Sequence, residues 1–150
     1  QTMNEFGPKY KSPGGEAVGF YSSLRLRTEI AKKITRTIKV AGKEVKRAVG
    51  VKILVEVFKS SIWKPFRTAP VTIIFDYGID NIRENLQFIK DYTKNTTYTV
   101  NGYALSASMK EAIILIENGG GMEQALKNEV IDLWESIDHR FNSTRKTKIR

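Results

Sequence analysis

The chain has no cysteine and a single histidine among its 150 residues. Without cysteine it can form no disulfide and offers no thiol nucleophile or zinc–thiolate site, so we expect a reducing, cytoplasmic location. No apolar run approaches the roughly 18 residues that a membrane helix requires, so we expect no membrane partner. No signal peptide opens the chain, and its start at Gln1 instead of methionine indicates a processed or excised segment.

Several patterns that mark catalytic sites are also missing. The three glycines at 119–121 are not followed by Gly-Lys-Ser/Thr, so they predict a helix terminator and not a phosphate-binding loop. His139 has neither a cysteine nor a second histidine with which to hold a metal, so we expect no metal site. Asp76 and Asp80 have no evident general-acid partner and are interpreted as a turn and a helix cap.

Positive charge is concentrated in one half of the chain. Residues 1–75 carry 15 Lys/Arg against 5 Asp/Glu, a net charge of +10, whereas residues 76–139 carry 5 against 11, a net charge of −6. A short basic tail follows from Arg140. This one-sided field favours a polyanion as partner, most simply nucleic acid, with a merely soluble basic protein as the alternative.

Hydrophobic patterning predicts an α+β fold in which strands precede helices. The Gly- and Pro-rich residues 1–19 are typical of a loop. Residues 31–48 are rich in Lys and Arg and predict a basic hairpin or a protruding loop, with its turn at Ala41-Gly42-Lys43. Alternating or continuous apolar residues predict strands over 20–30, 49–58 and 71–75.

The second half of the chain predicts a small helical lobe. Helices are expected over 81–92, 108–117 and 122–141, and a short hairpin over 97–106 turns at Asn101-Gly102. Ser108 and Glu111 have the spacing of a capping box. The last two helices could mimic a helix-turn-helix, but the second of them is acidic and would be repelled by phosphates.

One segment is more specific than these patterns. Residues 14–26 read Gly-Gly-Glu-Ala-Val-Gly-Phe-Tyr-Ser-Ser-Leu-Arg-Leu. This closely resembles the part of the bacterial RecA recombinase family that leaves the second DNA-binding loop and enters the next core strand. Lys59, the run Pro-Phe-Arg-Thr-Ala at 65–69, Ile73 and Gly-Ile at 78–79 resemble a second family block, and residues 98–105 resemble a third, weaker one.

The resemblance implies a domain arrangement. Residues 1–79 would be the last strands of a RecA-type ATPase core, including the DNA-binding loop at 1–19. Residues 80–141 would form a small α-β-β-α C-terminal domain, and residues 142–150 a basic tail.

The resemblance also implies roles for individual residues. Gln1 resembles the glutamine that senses the ATP γ-phosphate, although the family places it somewhat further from the glycines. Phe20 resembles an aromatic residue that packs into the neighbouring subunit, with ordinary core packing as the alternative. Lys59 resembles the first of two lysines that reach the neighbour's ATP, and Ser61 stands where the second is expected.

DNA contacts are expected in two regions. The glycine loop combines close backbone approach, positive charge and an aromatic ring that can stack on a base. In the family this loop grips single-stranded DNA, and the basic segment after it serves a secondary site for duplex or displaced strand. The residues that we predict to contact DNA are Lys9, Tyr10, Lys11, Gly14, Gly15 and Glu16 in the loop, and Lys32, Lys33, Arg36, Lys43, Lys46 and Arg47 in the basic segment.

The residues that hold ATP in this family lie upstream of the matched segment, and no Walker A or Walker B motif occurs in the chain. We therefore expect a C-terminal part of a RecA-like recombinase whose full-length form binds ATP and Mg, assembles a homo-oligomeric filament on single-stranded DNA, engages duplex DNA and exchanges strands. This chain alone is expected to bind no cofactor and to hydrolyse no ATP. The alternative is a stand-alone, non-enzymatic module that binds DNA or modulates a recombinase.

Overall fold

The computed structural model describes residues 16–146 and residue 148. It is an α+β fold with antiparallel sheets. None of the described helices combines the length and apolarity that crossing a membrane requires. The elements are α1 (Glu16–Tyr21), β1 (Leu24–Val40), β2 (Lys43–Ser60), β3 (Thr68–Ile74), β4 (Gly78–Ile79), α2 (Asn81–Thr93), β5 (Tyr98–Val100), β6 (Tyr103–Ser106), α3 (Met109–Asn118) and α4 (Met122–His139).

The predicted basic hairpin is confirmed, and it is much longer than residues 31–48. β1 and β2 pair antiparallel from Leu24↔Ser60 to Val40↔Lys43, a ribbon of about 55 Å at roughly 3.3 Å per residue. Isoleucine and threonine recur along β1 and valine along β2, and these β-branched residues favour extended backbone. The register shifts at three places, where one residue of one strand has no partner: Phe58 on β2, Ala31 on β1 and Val49 on β2. Each extra residue changes the alternation of its own strand relative to the other strand.

The hairpin turns at Ala41-Gly42, where φ is 48° and 78°. Positive φ at both central residues is what a two-residue type I′ turn requires. The β5–β6 turn has nearly the same angles, 48° at Asn101 and 79° at Gly102. Asparagine adopts positive φ more readily than alanine, so the first turn has the less favourable residue in the same backbone conformation.

The chain divides into two compact units between Val71 and Thr72. The larger sheet has the order β1-β2-β3-β4, and β3 contains the division. Just before β3, Phe66 N donates to Val57 O at 2.7 Å. The predicted domain boundary after residue 79 rests on the family resemblance and stays a prediction.

The second unit has a hydrophobic core where α2, β5, α3 and α4 meet. Thr72 is buried at its edge and donates its hydroxyl to Glu84 Oε1 at 2.5 Å. In the first unit, by contrast, Gly50 is the only buried residue among those that the structure describes. The buried hydrophobic side chains of the second unit are Ile82, Leu86, Ile89, Tyr98, Val100, Ala112, Ile116 and Leu126.

The helix ends confirm one predicted cap and contradict another. Asp80 caps α2, because its carboxylate accepts from Arg83 N at 3.1 Å. Ser108 makes no side-chain cap, so the predicted capping box is wrong. Instead Ser106 Oγ accepts from Ser108 N at 3.0 Å and donates to Glu111 Oε2 at 2.7 Å, because the last residue of β6 lies close to the start of α3.

The predicted start of the first strand is also wrong. Residues 16–21 form α1, and β1 begins at Leu24 instead of Phe20. Residues 16–19, expected in the loop, are therefore helical. A helix of six residues is too short for its period to differ clearly from strand alternation, so the sequence pattern did not predict α1. The end of α1 is also held by a hydrogen bond from Lys59, which is distant in the sequence.

We predict that Ala41→Asn stabilises the tip of the β1–β2 hairpin by about 1 kcal/mol, because asparagine is less strained than alanine at positive φ. Amide hydrogen exchange at Lys43 should slow by roughly fivefold. The matched control, Asn101→Ala, makes the reverse change on the same backbone angles and should speed exchange in the β5–β6 hairpin. Unchanged exchange in both variants would contradict the strain at Ala41.

Candidate nucleic-acid interface

The predicted cations of the basic segment lie on the outer part of the hairpin. Within residues 31–48 only Ile34 and Val45 are half-buried, and all other residues are exposed. We call residues 35–48, beyond the last register shift, the distal arm. Lys32, Lys33 and Arg36 lie on β1, and Lys43, Lys46 and Arg47 on β2; all six are exposed.

Two arginines face each other in the distal arm. Arg36 and Arg47 are direct cross-strand partners, which places their Cα atoms roughly 5 Å apart on one face of the ribbon. In the part of the chain that the structure describes, neither guanidinium has an ion pair. Like charges directly opposite destabilise a ribbon, whereas the neighbouring Lys39↔Glu44 pair is attractive. An anion bound between the arginines would relieve the repulsion.

Lys59 connects the base of the hairpin to α1. Its Nζ donates to Gly19 O at 2.8 Å and to Phe20 O at 3.3 Å, the carbonyls at the end of that short helix. Because an ammonium group has three N–H donors, these contacts leave one for another acceptor. Lys59 thus ties the segment that follows the glycine loop to the sheet.

Phe58 adds a cation–π cluster that sequence reasoning missed. It lies at the first register shift, next to the Arg25↔Lys59 pair. The Cζ atoms of Arg25 and Arg27 lie 5.4 and 4.2 Å from its ring centroid, and Arg27 also pairs with Glu56 at 3.5 Å. Phe58 lies on β2 and the two arginines lie on β1. Alternation within one strand does not show which residues of the other strand lie beside it, so only the register reveals this cluster.

The remaining predicted site residues fall near or before the start of the described chain. Glu16 is the first residue of α1. Phe20 lies in α1 with 77% of its side chain exposed, so it is not a core residue of this chain. The other predicted residues lie outside the described residues: Gln1, Lys9, Tyr10, Lys11, Gly14 and Gly15.

In the second unit, residues 76–139 carry 5 Lys/Arg against 11 Asp/Glu. Desolvation and the carboxylates of Glu117, Asp80 and Glu123 raise the pKa of the Tyr77 phenol above its ordinary value. Among the described residues no group of three His, Cys, Asp or Glu side chains could hold a metal ion. A cleft of about 700 Å³ is lined by Asn81, Asn85, Gly121, Glu123, Gln124, Lys127, Val130 and Ile131.

Comparison with known proteins agrees with the resemblance found in the sequence. Residues 4–80 match the model of the RecA N-terminal domain. Protein RecA of Mesomycoplasma hyopneumoniae (strain 7448) is 27% identical over 131 residues, 85% of this chain and 36% of that protein. Protein RecA of Thermus aquaticus is 38% identical over 79 residues, 53% of this chain and 21% of that protein.

The chain therefore spans about a third of the length of its relatives. Protein RecA of Lactobacillus delbrueckii subsp. bulgaricus (strain ATCC 11842) gives a similar figure, 26% identity over 83% of this chain and 37% of that protein. The family match ends at residue 80, one residue after the predicted end of the core portion. The match does not show that these residues are the last strands of that core.

We predict that Arg36→Thr stabilises the free protein at low ionic strength by several tenths of a kcal/mol, because it removes repulsion from Arg47 and places a β-branched residue in the strand. Lys39→Thr is the matched control, since it removes an attraction to Glu44 and should destabilise by a similar amount. Both effects should shrink in about 1 M salt, where charges are screened within roughly 3 Å. Thermal unfolding at two salt concentrations measures them, and shifts of the same sign in both variants would count against the repulsion.

Proposed function

The chain belongs to the RecA family, and from this we propose that it is the C-terminal part of a RecA-like recombinase. The full protein would form an ATP-dependent filament on single-stranded DNA and exchange strands with a duplex. In this proposal residues 1–79 are the last strands of the ATPase core, residues 80–141 a C-terminal domain and residues 142–150 a basic tail.

The observation that carries the proposal is the uncompensated pair of arginines in the distal arm. Arg36 and Arg47 lie opposite each other in the ladder, although this arrangement costs the free protein stability. Planar guanidinium groups bind phosphate groups by paired hydrogen bonds. We assign to the distal arm the contacts with duplex or displaced strand, and to residues 9–16 those with the single strand.

The exposed apolar residues of the first unit support its place in a larger core. Leu24, Leu26 and Ile30 lie at alternating positions of β1, and each is at least half exposed in this chain. A two-stranded ribbon is marginally stable in water by itself and needs further strands or a helix on an apolar face. We propose that the upstream part of the ATPase core covers this face.

The ATP site, in this proposal, is shared between subunits. This chain contains no Gly-x-x-x-x-Gly-Lys motif to cradle phosphates, so it does not fit ATP by itself. Lys59 is placed to contribute a cation to a neighbour's nucleotide, since its ammonium keeps one donor beyond its contacts with Gly19 and Phe20. Gln1 and Phe20 are proposed as nucleotide sensor and subunit contact.

A non-enzymatic DNA-binding module is the second candidate. The observation in its favour is Ser61, which stands where the family's second ATP-contacting lysine is expected and whose N–H donates to Ser23 O at 2.8 Å. The two candidates differ in ATP turnover by the full-length protein with single-stranded DNA. Turnover supports the recombinase, and its absence with intact DNA binding supports the module.

We predict that the full-length protein with Arg36→Thr and Arg47→Thr binds duplex DNA roughly tenfold more weakly at low salt than the full-length wild type. The slope of log K against log salt should fall by about two, one for each lost phosphate contact. Lys110→Thr, on the acidic second unit, is the control and should change neither quantity. Fluorescence anisotropy measures both, and wild-type affinity of the double variant would refute the assignment of the distal arm.

We predict that Lys59→Gln lowers ATP turnover of the full-length filament by at least about tenfold, because it removes a positive charge near the transferred phosphate. Glutamine can still donate to the carbonyls at the end of α1, so single-stranded DNA binding should persist. Lys59→Ala, which loses the charge and the tie to α1, separates the two effects. Unchanged turnover in Lys59→Gln would refute the role of Lys59.

A further inference from the structure

The arginine pair of the distal arm shares its face with an apolar pair. Two residues further toward the tip, Ile38 lies directly opposite Val45, and Val40 follows opposite Lys43. Because alternate residues of a strand lie on the same face, these three pairs form one surface. We call the Ile38–Val45–Val40 cluster the apolar wedge.

The apolar wedge is uncovered although it lies among cations. Ile38 and Val40 are 50% and 53% exposed, and Val45 is half-buried. The opposite face carries polar residues at the same level, with Thr37 opposite Lys46 and Lys39 opposite Glu44. A ribbon that served only to hold phosphates electrostatically would need no apolar cluster on its arginine-bearing face.

We propose that the distal arm enters the minor groove of duplex DNA, where the apolar wedge inserts at a base step and bends the duplex while the arginines hold it. This inference rests on the proposed function and adds to it a groove, a mode of contact and a change in DNA shape. The stiff β-branched side chains suit a wedge, because they lose little rotamer freedom on insertion.

The chemistry of this face favours the minor groove. Side chains that read the major groove act mainly through hydrogen bonds to base edges, and Ile38 and Val45 have no hydrogen-bonding groups. Minor-groove proteins combine Arg or Lys with apolar side chains that partly unstack a step and kink the helix. Positions two apart on a strand are about 6.6 Å apart. The arginine pair therefore lies roughly two base-pair steps of 3.4 Å from the wedge.

The distribution of charge on the distal arm agrees with a position in the minor groove. The narrow minor groove of A·T-rich DNA has enhanced negative potential that attracts arginine. Arg36, Arg47 and Lys43 all lie on the face of the apolar wedge, whereas Glu44, the one acidic residue of the distal arm, lies on the other face. The acidic side chain would thus point away from the groove floor.

The test uses the full-length protein without nucleotide and a 30-base-pair duplex with a central A·T tract, labelled at its ends for energy transfer. The variant is Ile38→Thr/Val45→Thr, which keeps β-branched side chains of nearly the same size but makes them polar. Thr37→Val is the control, because it makes the reverse exchange of a hydroxyl for a methyl group on the opposite face. Affinity and end-to-end energy transfer are measured on the same samples.

Wild type and Thr37→Val should raise the energy transfer on binding. The double variant should bind within about threefold of wild type and lose most of that rise. Netropsin, which fills the A·T minor groove, should weaken wild-type binding by at least tenfold, and methyl green, which occupies the major groove, should not. Unchanged energy transfer in the double variant, or competition by methyl green instead of netropsin, would overturn the proposal.

Failure of the wedge proposal can be distinguished from failure of the proposed function of the distal arm. If Arg36→Thr/Arg47→Thr binds the duplex as tightly as wild type, the distal arm does not contact DNA, and both the proposed function of the arm and the wedge are refuted. If that variant binds weakly while Ile38→Thr/Val45→Thr still bends the duplex, the arm binds DNA and only the wedge is refuted.

Discussion

The hydrogen-bonded ladder between β1 and β2 is the constraint on which the rest of the first unit depends. Its register places Arg36 against Arg47 and Ile38 against Val45, and its irregularities set which side chains share a face. The first shift also leaves Phe58 between two arginines. A slip of one residue would move every one of these groups to the other face, so the charge pattern of the arm is a consequence of register.

The two units differ in how completely they bury their hydrophobic side chains. Among the described residues, the second closes a core of buried hydrophobic side chains, and residues 76–139 carry a net charge of −6. The described aliphatic residues of the first unit are half-buried or exposed. In the proposed recombinase, further protein would cover the apolar face of the first unit.

Lys59 shows how a single side chain can serve structure and a proposed function together. Its contacts with Gly19 and Phe20 hold the end of α1 against the sheet, directly after the segment that resembles a DNA-binding loop. A phosphate that accepted from the third N–H of the same ammonium would leave those carbonyl contacts in place. In the proposed recombinase one side chain would then contact both the nucleotide and the segment that follows the loop.

Local chemistry was enough to predict most of the elements, the turns at Gly42 and Asn101-Gly102, the cap at Asp80 and the family, because propensities and short motifs act over a few residues. It was not enough for α1, for the partner of Glu111 or for the cluster at Phe58, since each depends on a contact between segments. The six cations of the basic segment could be named from composition, but not that Arg36 opposes Arg47 beside an apolar pair. The sequence determines which charges are present. Which of these charges face one another depends on the strand register, because hydrogen bonds between residues that are distant in the sequence establish that register.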